Sequence, residues 1–197
     1  MFWLFVPLGY LLGSLSAAII TCRLMGLPDP RSDGSGNPGA TNVLRLGGKK
    51  AAAATLLGDL LKGLIPVAAA QAVGAPELAV AATALAAFLG HLYPIFFRFQ
   101  GGKGVATAFG AIIALMPLLA GAVLATWLLV AAISRLSSLA ALLAAVLAPI
   151  YSWLLGATPG TTALLSVLAL LLVWRHRSNI RNIAAGTESR IGRKHRD

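Results

Sequence analysis

The chain has 197 residues, of which 58% are hydrophobic and only 11% charged, with a mean hydropathy of +0.82. This is too apolar for a soluble domain of that length, so an all-α, polytopic integral membrane protein is expected. Sixteen Lys and Arg against six acidic residues give a net charge of +10. That balance points to anionic lipid headgroups or anionic substrates rather than nucleic acid, because no base-stacking aromatics alternate with the charges. The single cysteine, Cys22, excludes an internal disulfide and reads as a packing residue.

Residues 2–22 carry no charge and are long enough to cross a bilayer. Without a basic segment before them or a cleavage site after them, they read as a retained anchor, not a signal peptide. Five basic residues follow (Arg23, Arg31, Arg45, Lys49, Lys50), the last three within the Gly-, Ser- and Asn-rich stretch 32–50. Its GSGNPGAT core has the G-x4-G frame of a phosphate-cradling loop, with Ala40 where the usual lysine would stand. Gly36 and Gly39 allow positive φ and Pro38 fixes φ, so a backbone nest for an anion is expected. A helix starting near Thr41 or Asn42 would add its N–H groups and set Arg45 about one turn further on. Taken alone, the frame equally describes a polar turn between two spans.

A second span, 51–73, contains Asp59 and Lys62 at a helical i,i+3 spacing, so the two can pair. Lys62 either snorkels to the basic side or faces inward and lends charge to the anion site. The third span, 78–97, holds His91 in its last turns, where a neutral, hydrogen-bonded histidine is expected. It leads into the second Gly-rich turn, Gly101, Gly102, Lys103 and Gly104, which carries one cation. Residues 105–133 are 29 uncharged residues broken by Pro117. Read as a hairpin with arms of roughly 14 residues and 21 Å, they return Arg135 to the face of the earlier loops. Residues 136–174 divide at 156–160 into two more spans.

The tail carries seven Lys and Arg (Arg175, Arg177, Arg181, Arg190, Arg193, Lys194, Arg196), while the opposite turns carry none. The positive-inside rule then gives about seven transmembrane helices, with the N-terminus outside and the C-terminus in the cytoplasm. One domain is expected over residues 1–197, with cytoplasmic loops at 32–50 and 98–104 and a cytoplasmic tail at 175–197. Ser138, in the turn 134–138, offers a hydroxyl. His176, Asn179 and Asn182 step by three and would share one side of a helix among Arg175, Arg177 and Arg181. Such a cluster suits a hydroxylated phosphate monoester; a solvated tail on anionic lipid suits residues 190–196 better.

The segments GSGNPGATNVLR, GHLYPIFFRFQGGKGVAT and HRSNIRNIAAGTE, in that order and spacing, resemble the three signature regions of the bacterial acyl-phosphate:glycerol-3-phosphate acyltransferases. The resemblance spans nearly the whole chain. It implies a small polytopic enzyme that moves a fatty acyl group from acyl phosphate to the 1-hydroxyl of glycerol 3-phosphate, making lysophosphatidic acid. It further implies that Ser35, Asn37, Thr41 and Arg45, Lys103 with its neighbouring glycines, and His176, Asn179 and Glu188 belong to the site.

The residues agree with that chemistry and constrain its mechanism. Both substrates carry phosphate, and Arg45, Lys103, Lys62 and the tail arginines can offset their repulsion. No Ser-His-Asp arrangement is present, so direct transfer is expected, with the donor's phosphate taking the proton; His176 is the alternative base. Glu188 reads as the partner of an arginine. His91, His176 and His195 lack metal-ligand spacing, so neither metal nor cofactor is expected. A transporter or channel for an organic phosphate would also carry Asp59, Lys62 and His91 in its spans, but it would be expected to show internal repeats. A subunit recruiting partners through its tail would leave both Gly-rich loops unexplained. Helices rich in Gly and Ala suit a monomer or a homo-oligomer alike.

Overall fold

The computed structural model describes residues 1–191; Arg193, Lys194, His195 and Arg196 of the tail lie outside the described residues. The described chain is helical and forms two compact units, one over Met1–Leu115 and one within residues 116–191.

In the first unit, a short 3-10 turn (Phe2–Leu4) leads into α1 (Phe5–Gly13) and α2 (Ala17–Leu24). The expected single span over 2–22 is thus a broken one, bent by 40°. The break is chemical: the Ser14 hydroxyl donates back to the Tyr10 carbonyl at 2.8 Å, and Ser16 caps α2 by accepting from Ile19 N–H. Helix α3 (Ala40–Ala72) starts where the sequence suggested, with Gly39 as its N-cap. Gly48, at φ 75°, breaks its helical path, setting a short segment before it and the long apolar segment after it. Helix α4 (Glu77–Leu92) and α5 (Val105–Leu115) complete the unit.

Glycine makes the two main crossings of this unit. Where α3 meets α5, Gly63 rests on the Thr107 carbonyl and Gly110 on the Leu60 carbonyl. Where α1 meets α4, Gly13 rests on the Ala87 backbone and Gly90 on the Tyr10 carbonyl. Between membrane helices, apolar surface gains little from leaving lipid, so close backbone approach at small residues carries the association. Gly110→Ala would drive a methyl onto the Leu60 carbonyl, with Leu64 N 3.0 Å away. Overpacking of this kind costs about 1–3 kcal/mol, so the variant is expected to melt several degrees lower in detergent. Gly121→Ala, whose added methyl meets nothing within 4 Å, is expected to melt with the parent.

The second unit is an antiparallel meander of α6 (Pro117–Ser134), α7 (Ser137–Leu154) and α8 (Pro159–Arg175), followed by α9 (Arg177–Ala184). Thr126 bonds Tyr151 across α6 and α7 at 3.0 Å, and Ser152 bonds Thr162 across α7 and α8 at 3.1 Å. The 105–133 run does break at Met116, with Pro117 opening α6. The two helices are unequal, however: α5 has 11 residues and α6 has 18.

Among the described residues, four helices are long and apolar enough to cross a membrane, or up to six if each bent pair is one span. The remaining apolar segment is α5, about 17 Å long at 1.5 Å per residue, which is shorter than the hydrocarbon core.

Candidate active site

The first Gly-rich loop is organised by Asn42. This residue, 1% exposed, donates from Nδ2 to the carbonyls of Pro30 (2.9 Å) and Asp33 (3.0 Å) and accepts the Ser35 N–H at Oδ1 (2.8 Å). Its amide is therefore committed to the loop, and the substrate contact expected of it gives way to a positioning role. The open nest expected over 34–41 is also corrected. Gly34 N–H bonds its neighbour Asp33 Oδ1, Gly36 N–H bonds the Asp33 carbonyl, and Gly39 N–H bonds the Asn37 carbonyl. Those amides close turns instead of facing one point. Ser35, Asn37, the Ala40–Thr41 start of α3 and Arg45 lie on and just after this loop. Arg45 is half-buried and has no ion-pair partner among the described residues.

Upstream, Arg31 clamps Asp29 through Nε and Nη2, the latter at 2.7 Å. That bond holds the Asp29 carboxyl below the usual carboxylate range. Asn42→Ala would strand the Ser35 amide and two carbonyls, at about 1–3 kcal/mol each where buried. We expect faster proteolysis within residues 30–39 and roughly tenfold lower turnover efficiency, equivalent to about 1.4 kcal/mol; limited proteolysis and steady-state kinetics on the same preparation check both.

The second loop lies flat on the end of α4. Gly102 N–H donates to the His91 carbonyl at 3.2 Å, and a Cβ on Gly101 would strike the carbonyls of His91 and Leu92. Gly104, at φ 85°, lies against Phe88 and Leu92. The two loops meet here, since a Cβ on Gly102 would stand 3.0 Å from the Pro38 carbonyl. Lys103 is half-buried and immediately precedes the first turn of α5, where Ala108 N–H bonds the Gly104 carbonyl at 2.8 Å. A cation and a helix N-terminus therefore share one short segment.

Beneath this loop, Lys62 does not snorkel. It is buried, 2.8 Å from Asp59 Oδ1, and donates to the Leu15 carbonyl at 2.9 Å. The i,i+3 pairing was legible in the sequence. Because Asp59 neutralises it, Lys62 brings little net charge to the anion site. His91, expected as a hydrogen-bonded histidine in the last turns of its span, is buried at the end of α4, with Nδ1 3.2 Å from Thr107 Oγ1 and 3.5 Å from Asp59 Oδ1.

In the second unit, His176 sits at the 60° bend between α8 and α9. The expected three-residue stripe of His176, Asn179 and Asn182 is interrupted there. His176 is buried, with Nδ1 2.9 Å from the Leu172 carbonyl. A carbonyl only accepts, so Nδ1 carries the hydrogen and Nε2 is the ring's acceptor atom.

The segment after α9 returns along the turn 134–138, where Ile191 N–H bonds the Arg135 carbonyl at 2.8 Å. Glu188 Oε1 accepts from Ser138 Oγ (2.6 Å) and Asn179 Nδ2 (2.7 Å). Among the described residues its partners are therefore a hydroxyl and an amide, not the arginine expected. Arg177 lies 4.9 Å and Arg175 5.9 Å from the Trp174 ring centre, while Arg181 is exposed. Both stacked guanidiniums are thus partly engaged by the indole face.

Residues 3–186 match the model of a family described as glycerol-3-phosphate acyltransferase. A relative of that name from Thioalkalivibrio sulfidiphilus (strain HL-EbGR7) is 60% identical over 185 residues, covering 94% of this chain and 91% of the relative. Another, from Methylobacillus flagellatus, is 57% identical over 190 residues, covering 96% and 97%. The fold is similar to the crystal structure of PlsY, an integral membrane glycerol 3-phosphate acyltransferase, in its glycerol 3-phosphate form. The TM-score is 0.92 at 38% identity, with 96% of this chain and 94% of that one covered. The lysophosphatidic acid form of PlsY gives a TM-score of 0.90.

Proposed function

Because the chain belongs to the glycerol-3-phosphate acyltransferase family, we propose that it moves a fatty acyl group from acyl phosphate to the 1-hydroxyl of glycerol 3-phosphate. The products are lysophosphatidic acid and inorganic phosphate. The reaction runs at the cytoplasmic face of a bacterial inner membrane, which the chain crosses about seven times when the short α5 is counted, with its N-terminus outside. The observation that carries the acyl transfer is kinship over nearly the full chain, including a 38% identical structure in its glycerol 3-phosphate form.

The chain's polar groups suit this reaction. The glycerol oxygen attacks the acyl carbonyl carbon, the bond from that carbon to the phosphate oxygen breaks, and the hydroxyl proton leaves with the phosphate. Two phosphorylated reactants repel, by about 3 kcal/mol for each pair of unit charges 5 Å apart at an effective dielectric near 20. Arg45 and Lys103 offset that repulsion, with Arg181 adding long-range positive charge. Gly101, Gly102 and Gly104 let the loop backbone approach a phosphate, while Ser35, Asn37, Ala40 and Thr41, on a loop turned by Gly36 and Gly39, serve the second one. His176 Nε2 accepts from a glycerol hydroxyl, and Asn179 and Ser138, oriented by Glu188, hold the rest of the glycerol. Positioning of this kind replaces a bimolecular encounter with a near-unimolecular one.

The test is purified protein supplied with acyl phosphate and glycerol 3-phosphate, without metal, thioester or nucleotide. Lysophosphatidic acid and phosphate in equal amounts support the reading. Transfer from a thioester but not from acyl phosphate overturns the donor assignment, and liposome uptake of glycerol 3-phosphate without acylation overturns the enzyme.

A further inference from the structure

We propose that His91 is a positioning residue for Lys103, gripping the loop on both sides of that lysine and tying it to the buried Asp59–Lys62 ion pair. The inference rests on the reading above that the 101–104 loop binds phosphate. Lys103 has Gly102 immediately before it and Thr107 one helical turn after it, and His91 touches both. Its carbonyl accepts the Gly102 N–H at 3.2 Å, and its ring packs so closely on Gly102 that a Cβ there would overlap Nε2 and stand 3.1 Å from Cε1. Its Nδ1 lies 3.2 Å from Thr107 Oγ1.

The same nitrogen faces Asp59 Oδ1 at 3.5 Å, and Lys62 holds that oxygen at 2.8 Å while donating to the Leu15 carbonyl at 2.9 Å. A continuous polar chain therefore runs from the α1–α2 break, through α3 and α4, to the segment that carries the cation. All its side chains are buried. Buried ionised pairs are costly relative to apolar residues of the same volume, so packing alone does not explain the cluster. Fixing one geometry for a loop made of three glycines around a single lysine does.

The test compares His91→Phe, which keeps the ring volume without its nitrogens, with His91→Asn, whose amide can replace the Nδ1 contact, and with Thr107→Val. Amide hydrogen exchange at Gly102 and Lys103 reads the positioning directly, without substrate. In His91→Phe, exchange is expected to quicken and KM for a phosphorylated substrate to rise at least about tenfold, with kcat within about threefold of the parent. His91→Asn is expected to recover most of both effects, and Thr107→Val to show a smaller change in the same direction. Unchanged exchange and KM in His91→Phe overturn the proposal, as does a fall in kcat and melting temperature with KM intact. Should His91→Phe fail to fold, unchanged exchange and KM in Thr107→Val overturn it. Faster exchange with no change in KM for either substrate leaves the positioning standing and sinks the phosphate reading of the loop.

Discussion

Lys103→Ala is expected to lower kcat/KM by about 10²–10³, or roughly 3–4 kcal/mol of transition-state stabilisation, in an otherwise normally folded protein. Half-buried Lys103 has Gly101 and Gly102 before it and Gly104 between it and the first turn of α5. Removing its ammonium leaves the helix N-terminus as the local positive charge on this segment. A helix N-terminus acts as about half a charge, so it cannot substitute for the lysine. The loss should appear mainly in KM for a phosphorylated substrate and should grow at low ionic strength, where the missing attraction is least screened. Lysophosphatidic acid formation from varied concentrations of each substrate, in a preparation whose melting temperature matches the parent, measures it. A variant retaining parental kcat/KM would remove Lys103 from the site.

The second large effect concerns His176. Its Nδ1–H is held by the Leu172 carbonyl at 2.9 Å, which fixes the ring and presents Nε2 as an acceptor. His176→Ala is expected to cost about 10² in kcat/KM, near 2.7 kcal/mol, through loss of one oriented hydrogen bond to the glycerol. The loss should fall mostly on KM for glycerol 3-phosphate. His176→Gln, which can still offer an acceptor, should recover part of it. If the donor's phosphate takes the proton, substantial turnover survives in His176→Ala at saturating glycerol 3-phosphate. Abolished kcat with both substrates still bound would instead make His176 the base.

Features that depend on residues close in the chain were legible from the sequence. The i,i+3 pairing of Asp59 with Lys62 follows from helical spacing alone. The start of α3 beside Thr41 and the break before Pro117 follow from glycine and proline. What escaped depended on which groups were already engaged. The GSGNPGAT glycines suggest an open nest, but Asn42, seven residues beyond Ser35, takes the Ser35 amide, and turn closure takes the others. Charge suggests an arginine partner for Glu188; among the described residues its partners are Ser138, fifty residues away, and Asn179. His91 looked like an ordinary core histidine because its role depends on contacts with Gly102, Thr107 and Asp59 on three different segments. The kink at Gly48 left no periodic trace, since a single glycine inside a helical pattern is often tolerated.

The central claim is that the two Gly-rich loops of the first unit, remote in the chain but brought together at Gly102 and Pro38, serve as its phosphate-binding segment. A crystal structure of this protein with glycerol 3-phosphate and a non-hydrolysable acyl phosphate analogue tests it most directly. The account predicts one phosphate within about 3 Å of Lys103 Nζ and the second beside Ser35 and Thr41. Ligands that bind away from both loops would contradict it.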